Sequence, residues 1–260
     1  MRLAIFADIH GNLPAFEAAL ADFARVGEVD KVWFLGDYVA FGTQPAECIA
    51  LIRALIEQHG KDKVQVIGGN TDRYVVTGKR PASPPAKDAE GLAKRLRAFQ
   101  ERDAVLNWTL ERLSWEDYEF LAGTLGRELS YTHEGYGTII GFHAIPGDDE
   151  PPSLTPNASD EQISDALLDR EGRLALSAHT HLVMNRQVGR WQVVNAGSVG
   201  MSFSQAGYAE WALITLEGAE THVDLRAVPY DMQAVIASAQ ALGFPHPHMV
   251  AERLKTKITG

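Results

Sequence analysis

Asp8 and His10 are separated by one residue and follow an apolar run at 3–6, which reads as a buried strand. In an extended chain, residues two apart share a face and lie about 7 Å apart along the backbone. A carboxylate and an imidazole at that spacing can converge on one metal ion. The arrangement recurs. Apolar runs at 31–35, 64–67, 138–142 and 174–177 lead into Asp37, Asn70, His143, and the pair His179 and His181. Each has an ordinary reading alone: Asp37 and Asn70 suit turns, His143 suits a core histidine, and His179 and His181 suit one face of a strand. Five such endings in one chain point elsewhere, because strand ends on one edge of a sheet lie together. Asp8, His10, Asp37, Asn70, His143, His179 and His181 can then form one cluster. Two aspartates, four histidines and an asparagine exceed the needs of one ion and suit two ions sharing a carboxylate.

The elements that must position these residues follow from pattern. After Asp8-Ile9-His10, Gly11 permits a turn and Pro14 suits the first turn of a helix, whose apolar face is Leu13, Phe16, Leu20 and Phe23. Strand, helix, strand, helix, strand then alternate to residue 72, the pattern of a parallel or mixed sheet. Residues 71–124 read as a helical excursion: a loop at 78–87, a helix over 88–113, and a second helix to 121 capped by Ser114, with Asp117 three residues on. Phe99, Trp108 and Trp115 are expected to form its core. Strands resume at 128–132 and 138–142. A Pro-rich loop at 147–158 leads to a helix that Ser159 caps. A strand at 174–177, a hairpin through Gly189-Arg190, two further strands (208–215 and 221–227) and two terminal helices complete the chain.

Composition narrows the function. Against 24 Lys and Arg stand 34 Asp and Glu, a net charge of −10, which opposes non-specific binding to nucleic acid or an anionic membrane. It does not exclude an anionic substrate, because bound metal ions reverse the local field. The one cysteine, Cys48, permits no internal disulfide and falls among Ile49, Ile52 and Ile56 as a small buried group. The chain opens on a strand with no signal-peptide pattern and has no run long enough to span a bilayer, so a cytoplasmic location is expected. Neither composition nor pattern assigns an oligomeric state.

The ordered series Asp8-Ile9-His10-Gly11-Asn12, Gly36-Asp37, Gly69-Asn70-Thr71-Asp72, His143 and His179-Thr180-His181 resembles the calcineurin-like metallophosphoesterase superfamily. Asn195–Gly200 also resembles a stretch of its small bacterial and archaeal members, with Ala196 in place of proline. The resemblance implies an α/β fold: a four-layer αββα sandwich of two mixed β-sheets flanked by helices, one domain over 1–260 with the excursion at about 71–124 as a helical cap. It implies that Asp8, His10 and His181 bind one ion, that Asn70, His143 and His179 bind the other, and that Asp37 bridges them. Mixed nitrogen and oxygen donors favour Mn, Fe, Zn, Ni or Co over Ca or Mg. The implied activity is hydrolysis of a small phosphodiester or phosphomonoester, with diesters preferred, by attack of a metal-bridging hydroxide. Asp37, Asn70 and Asp72 are the expected catalytic residues, Asp72 by orienting its loop.

Two positions depart from the family pattern. Thr71 stands where many members carry a histidine that protonates the leaving group, and its hydroxyl is no useful acid near neutral pH. Ala178 replaces a glycine before His179. Asn12, Thr71 and Arg73 are the expected substrate contacts. Residues 79–103 carry a local excess of positive charge, which suits either a solvated helix face or a lid over a polyanion. Two alternatives stay open: a serine/threonine phosphatase-like phosphomonoesterase, and a non-catalytic metal-binding scaffold on the same fold, as in the retromer subunit that resembles these enzymes.

Overall fold

Alternation along the first strand explains the layering. The computed structural model describes residues 1–256. In β1 (Arg2–Phe6) Leu3 and Ile5 point to one side and Ala4 and Phe6 to the other, and all four are buried. A strand buried on both faces must lie inside a sheet covered on both sides. Its sheet also contains β2 (Lys31–Phe34), β3 (Val64–Val66), β9 (Tyr208–Glu217) and β10 (Glu220–Pro229), in the order β10-β9-β1-β2-β3. β1, β2 and β3 are parallel, whereas β9 and β10 add antiparallel.

The second sheet holds β4 (Leu129–His133), β5 (Gly137–Gly141), β6 (Leu174–Ser177), β7 (Val183–Val188) and β8 (Trp191–Ala196), in the order β4-β5-β6-β8-β7. Its central β5, β6 and β8 are parallel. Leu3, Ile5, Trp33 and Leu35 of the first sheet pack on Ile139, Leu174, Leu176 and Val194 of the second. On the outside, α1 (Leu13–Phe23) and α2 (Pro45–His59) bring Phe16, Ile49 and Ile52 onto Phe6 and Phe34. On the other outer face, Ile163 of α6 (Asp160–Ala166) joins Phe142, Ala175 and Val193. This is the expected αββα sandwich. Cys48 is buried in the helix-side core, where burial pushes its thiol well up.

α3 (Asn70–Thr77) begins on Asn70 itself. α4 (Ala89–Leu110) is capped by the Asp88 side chain, which accepts the Gly91 N–H. Ser114 caps α5 (Trp115–Ala122), and Asp117 completes the reciprocal pair. The C-terminal half of α4 packs Val105 and Trp108 against Val235, Phe244, Val250 and Leu254, which come from α7 (Met232–Ala241), the segment after it, and α8 (Pro247–Lys255). One expectation fails here. Trp115 is 67% exposed rather than part of a core, because it sits at the start of α5 stacked only on Tyr118. Leu92 and Leu96 continue the apolar stripe of α4 but are 60% and 56% exposed, since the helix there has run past its partners. Among the described residues, no helix is long and apolar enough to cross a membrane.

Candidate metal centre

Parallel strands deliver their carboxyl ends to one edge, and the next residues turn sharply. Asp8 and His10 follow β1, Asp37 follows β2, Asn70 follows β3, His143 follows β5, and His179 and His181 follow β6. Eight non-glycine residues among those described have positive φ, and five of them belong to this set: Asp8 at 54°, His10 at 51°, Asp37 at 56°, His179 at 69° and His181 at 58°. Each such residue costs about 1–3 kcal/mol and persists only where its surroundings over-determine it. Here backbone hydrogen bonds do so. The N–H of Asp8 donates to Gly36 O at 3.0 Å and that of His10 to Asp37 O at 2.9 Å, while the His179 N–H donates to Asp8 Oδ2 at 3.0 Å.

All seven side chains come together. Asp8, His10 and His181 form one group of donor atoms lying within 4.8 Å of one another, and Asp37, His143 and His179 form a second. The Asp37 carboxylate faces both, with Oδ2 3.7 Å from His10 Nε2 and Oδ1 3.5 Å from His143 Nε2. Asn70 Oδ1 lies 3.1 Å from His143 Nε2 and 3.0 Å from His179 Nδ1.

The donor set fits divalent metal. His10, His143 and His181 each direct Nδ1 at a backbone carbonyl: Val39 O at 3.3 Å, Leu35 O at 2.7 Å and Met201 O at 2.8 Å. A carbonyl only accepts, so each Nδ1 carries the proton and each Nε2 presents its lone pair inward, the usual second-layer support of a metal-bound imidazole. Two of these lone pairs, on His10 and His181, face each other at 3.1 Å. Asp8 Oδ1 is buried with no hydrogen-bond partner among the described residues. A cation between these atoms satisfies both arrangements.

The electrostatics agree. Burial resists ionisation of Asp37, yet His143 holds its carboxyl well below the usual range. Burial likewise opposes the His143 imidazolium, but the Asp37 charge outweighs it and lifts that group to about 10. Burial brings His10 down to about 4. Protons and metal therefore compete for the same lone pairs.

The remaining expected residues have plain positions. Asp72 lies under the cluster, where Oδ2 accepts the N–H of Asp37 at 2.8 Å and of Gly69 at 3.0 Å, and Oδ1 accepts that of Tyr38 at 2.9 Å. Burial and the Asp37 charge push its carboxyl up to about 7, against the pull of these donors. Thr71 donates its N–H to Asp37 Oδ1 at 2.8 Å and its hydroxyl to Val39 O at 3.0 Å. Asn12 caps α1 through Oδ1 and donates Nδ2 to Gly200 O at 2.7 Å, so its amide is spent on structure. Arg73, expected to meet substrate, is instead bound by Asp149 at 2.6 Å and Glu150 at 3.0 Å.

Sequence reading missed the braces behind the ligands. Ser198 Oγ donates to Asp8 O at 2.7 Å, and Asn195 Nδ2 donates to Ala178 O at 2.7 Å. A Cβ at Gly200 would collide with Ile9 O, so this loop must pass the Asp8-Ile9-His10 turn without a side chain there. The conspicuous Asn195–Gly200 stretch was the available signal. The backbone carbonyls that orient the histidines leave none.

A two-sheet sandwich with carboxylates and imidazoles crowded at its strand ends has the donor set that metal-dependent hydrolysis needs. The chain belongs to the calcineurin-like phosphoesterase family, whose model matches residues 1–212. An uncharacterised protein of Methanocaldococcus jannaschii is 25% identical over 247 residues, covering 89% of this chain and 88% of that protein. A symmetrical bis(5′-nucleosyl)-tetraphosphatase of Chromohalobacter salexigens is 32% identical over 101 residues, 39% of this chain and 35% of that protein. Two crystal structures share the fold. A hypothetical protein of Pyrococcus horikoshii OT3 has a TM-score of 0.80 at 23% identity, covering 100% of this chain and 99% of that one. A metallophosphoesterase of Sphaerobacter thermophilus has a TM-score of 0.70 at 20% identity, covering 99% of each chain.

Proposed function

We propose that this phosphoesterase works with two divalent transition-metal ions and prefers phosphodiesters. Asp8, His10 and His181 would hold one ion, Asn70, His143 and His179 the other, and Asp37 would join them. The observation that carries this reading is the Asp37 carboxylate, which turns one oxygen toward each group. Two such ions supply an acidified water as nucleophile and positive charge for the phosphoryl oxygens. The chain does the rest. Backbone N–H groups fix Asp37 and Asp72, carbonyls fix the imidazoles, and partial exposure of His179 leaves the cluster open to substrate on that side.

The diester preference has two supports. A diester brings one negative charge, and Arg73 of α3 is already neutralised by Asp149 and Glu150, so it adds no free charge for the second one of a monoester. Thr71 has also committed its hydroxyl to Val39 O, so leaving groups that need no proton are favoured. The fragmentary match to a nucleosyl tetraphosphatase is compatible with a diester-like substrate. Hydrolysis of bis(p-nitrophenyl) phosphate beside p-nitrophenyl phosphate tests the reading, with Mn²⁺, with chelator, and with Asp37→Ala. The expected result is faster diester turnover that chelation and the substitution both abolish. Faster monoester turnover would remove the preference, and turnover that survives chelation would remove the metal role.

A further inference from the structure

Beside the cluster lies a cavity of about 430 Å³, a size usual for small-molecule sites. Asn70 and Thr71 line it, and so do Arg102 of α4 and Arg253 of α8. Arg253 lies beyond the residues that the family model matches. It also lines a small adjoining cleft with His10 and Asn12, so it stands where two recesses meet the metal-competent residues.

Arg253 stacks on an aromatic ring but, among the described residues, pairs with no acid and makes no hydrogen bond through its guanidinium. It lies over the Phe41 ring with 3.9 Å to the ring centre. Phe41 is held at φ 66° with its ring 5.4 Å from that of His10. Burial draws Arg253 below the ordinary arginine value. A half-buried guanidinium that pairs with no acid and opens onto a cavity can take an anionic ligand as its partner. The other arginines nearby are spoken for: Arg73 by Asp149 and Glu150, and Arg80 by Asp103 at 2.7 Å. Arg102 reaches the same Asp103 at 3.3 Å. Glu101 is the one acid lining the cavity, against two arginines. The cavity on the His143 side, of about 350 Å³, mixes the acids Glu128, Asp148, Asp149 and Glu150 with Arg73, Lys79 and Arg127, and Arg73 there is already held by two of those acids.

We propose that Arg253, with Arg102 on the same cavity, binds a second phosphate carried on the non-reacting arm of the substrate, so that this chain selects phosphoesters bearing two or more phosphates over those bearing one. The proposal rests on the phosphoesterase reading above, and it makes α8 a specificity element.

The test is calorimetric binding of adenosine 5′-tetraphosphate and of AMP to the Mn²⁺-loaded chain, with Mn²⁺ matched in cell and syringe. Arg253→Met is expected to weaken tetraphosphate binding about tenfold or more and AMP binding less than about twofold, with Arg253→Lys between. Lys255→Met, an exposed charge on the same helix, is expected to change neither. The methionine side chain keeps the packing on Phe41 and loses only the cation–π contact, so the melting temperature of Arg253→Met is expected to stay within about 2 °C of wild type. Equal tetraphosphate affinity in wild type and Arg253→Met would overturn the proposal. So would equal weakening of both ligands with a lowered melting temperature, which marks a structural role. Failure of the phosphoesterase reading appears separately, as absence of bis(p-nitrophenyl) phosphate turnover by the wild type, while the affinity ratio is still read.

Discussion

At the finest scale the proposed chemistry turns on Thr71. Its hydroxyl proton is given to Val39 O and its N–H to Asp37 Oδ1, so the side chain has no proton for a departing alkoxide. The rate should therefore fall steeply as the leaving group becomes more basic. Thr71→His is expected to flatten that dependence, with a gain of about tenfold or more for alkyl esters and little for nitrophenyl esters. Rates over a series of esters spanning phenol and alcohol leaving groups check this, and an unchanged slope would reject it. The residue scale is also where the sequence was most legible. Polar residues that end apolar runs stand out, and all seven candidate ligands do so. Arg73 and Asn12 misled for the same reason: proximity in sequence to Asn70 and His10 says nothing of Asp149, Glu150 or Gly200, which claim them from far along the chain.

At the scale of elements, the turns matter more than the strands. Gly69, between β3 and α3, carries no special backbone angle, yet a Cβ there would overlap Asp37 Oδ1 and lie 2.6 Å from His143 Cε1. Gly69→Ala is expected to cost about 2 kcal/mol, read as a melting temperature lower by about 4–8 °C, and to reduce bound metal. Unchanged stability and metal content would show that the turn has slack. Strands and caps could be read from period and capping residues, as Ser114 with Asp117 illustrates. The left-handed turns at Asp8, His10, Asp37, His179 and His181 could not, because aspartate and histidine, though enriched there among non-glycine residues, occur far more often in other conformations. Nor could the exposed half of α4, whose apolar stripe through Leu92 and Leu96 continues where packing stops.

Across the whole molecule, Glu210 ties the sheets together. It lies on β9 of the first sheet, and its Oε2 accepts the Ser198 N–H, beyond β8 of the second, at 3.4 Å. Burial pushes its carboxyl up to about 7. A group that binds its proton more tightly folded than unfolded contributes stability in acid and loses it as pH rises through the folded value. The chain should lose stability between about pH 4.5 and pH 7 through this residue. Glu210→Gln is expected to melt several degrees higher than wild type at pH 8 and to converge with it near pH 5. Parallel melting curves at the two pH values would reject the assignment. Arg253 shows why sequence could not supply the proposed phosphate pocket: its place on one cavity with Asn70 and Thr71 depends on α8 packing against α4, a contact between distant parts of the chain.

The central claim is that Asp37 joins two ions at the ends of the central strands. The most direct measurement is metal stoichiometry, by elemental analysis of the chain after Mn²⁺ loading and desalting, for wild type and for Asp37→Ala. About two ions per wild-type chain are expected, with a loss of at least one in the variant. One ion or none in the wild type, or two in the variant, would contradict the claim.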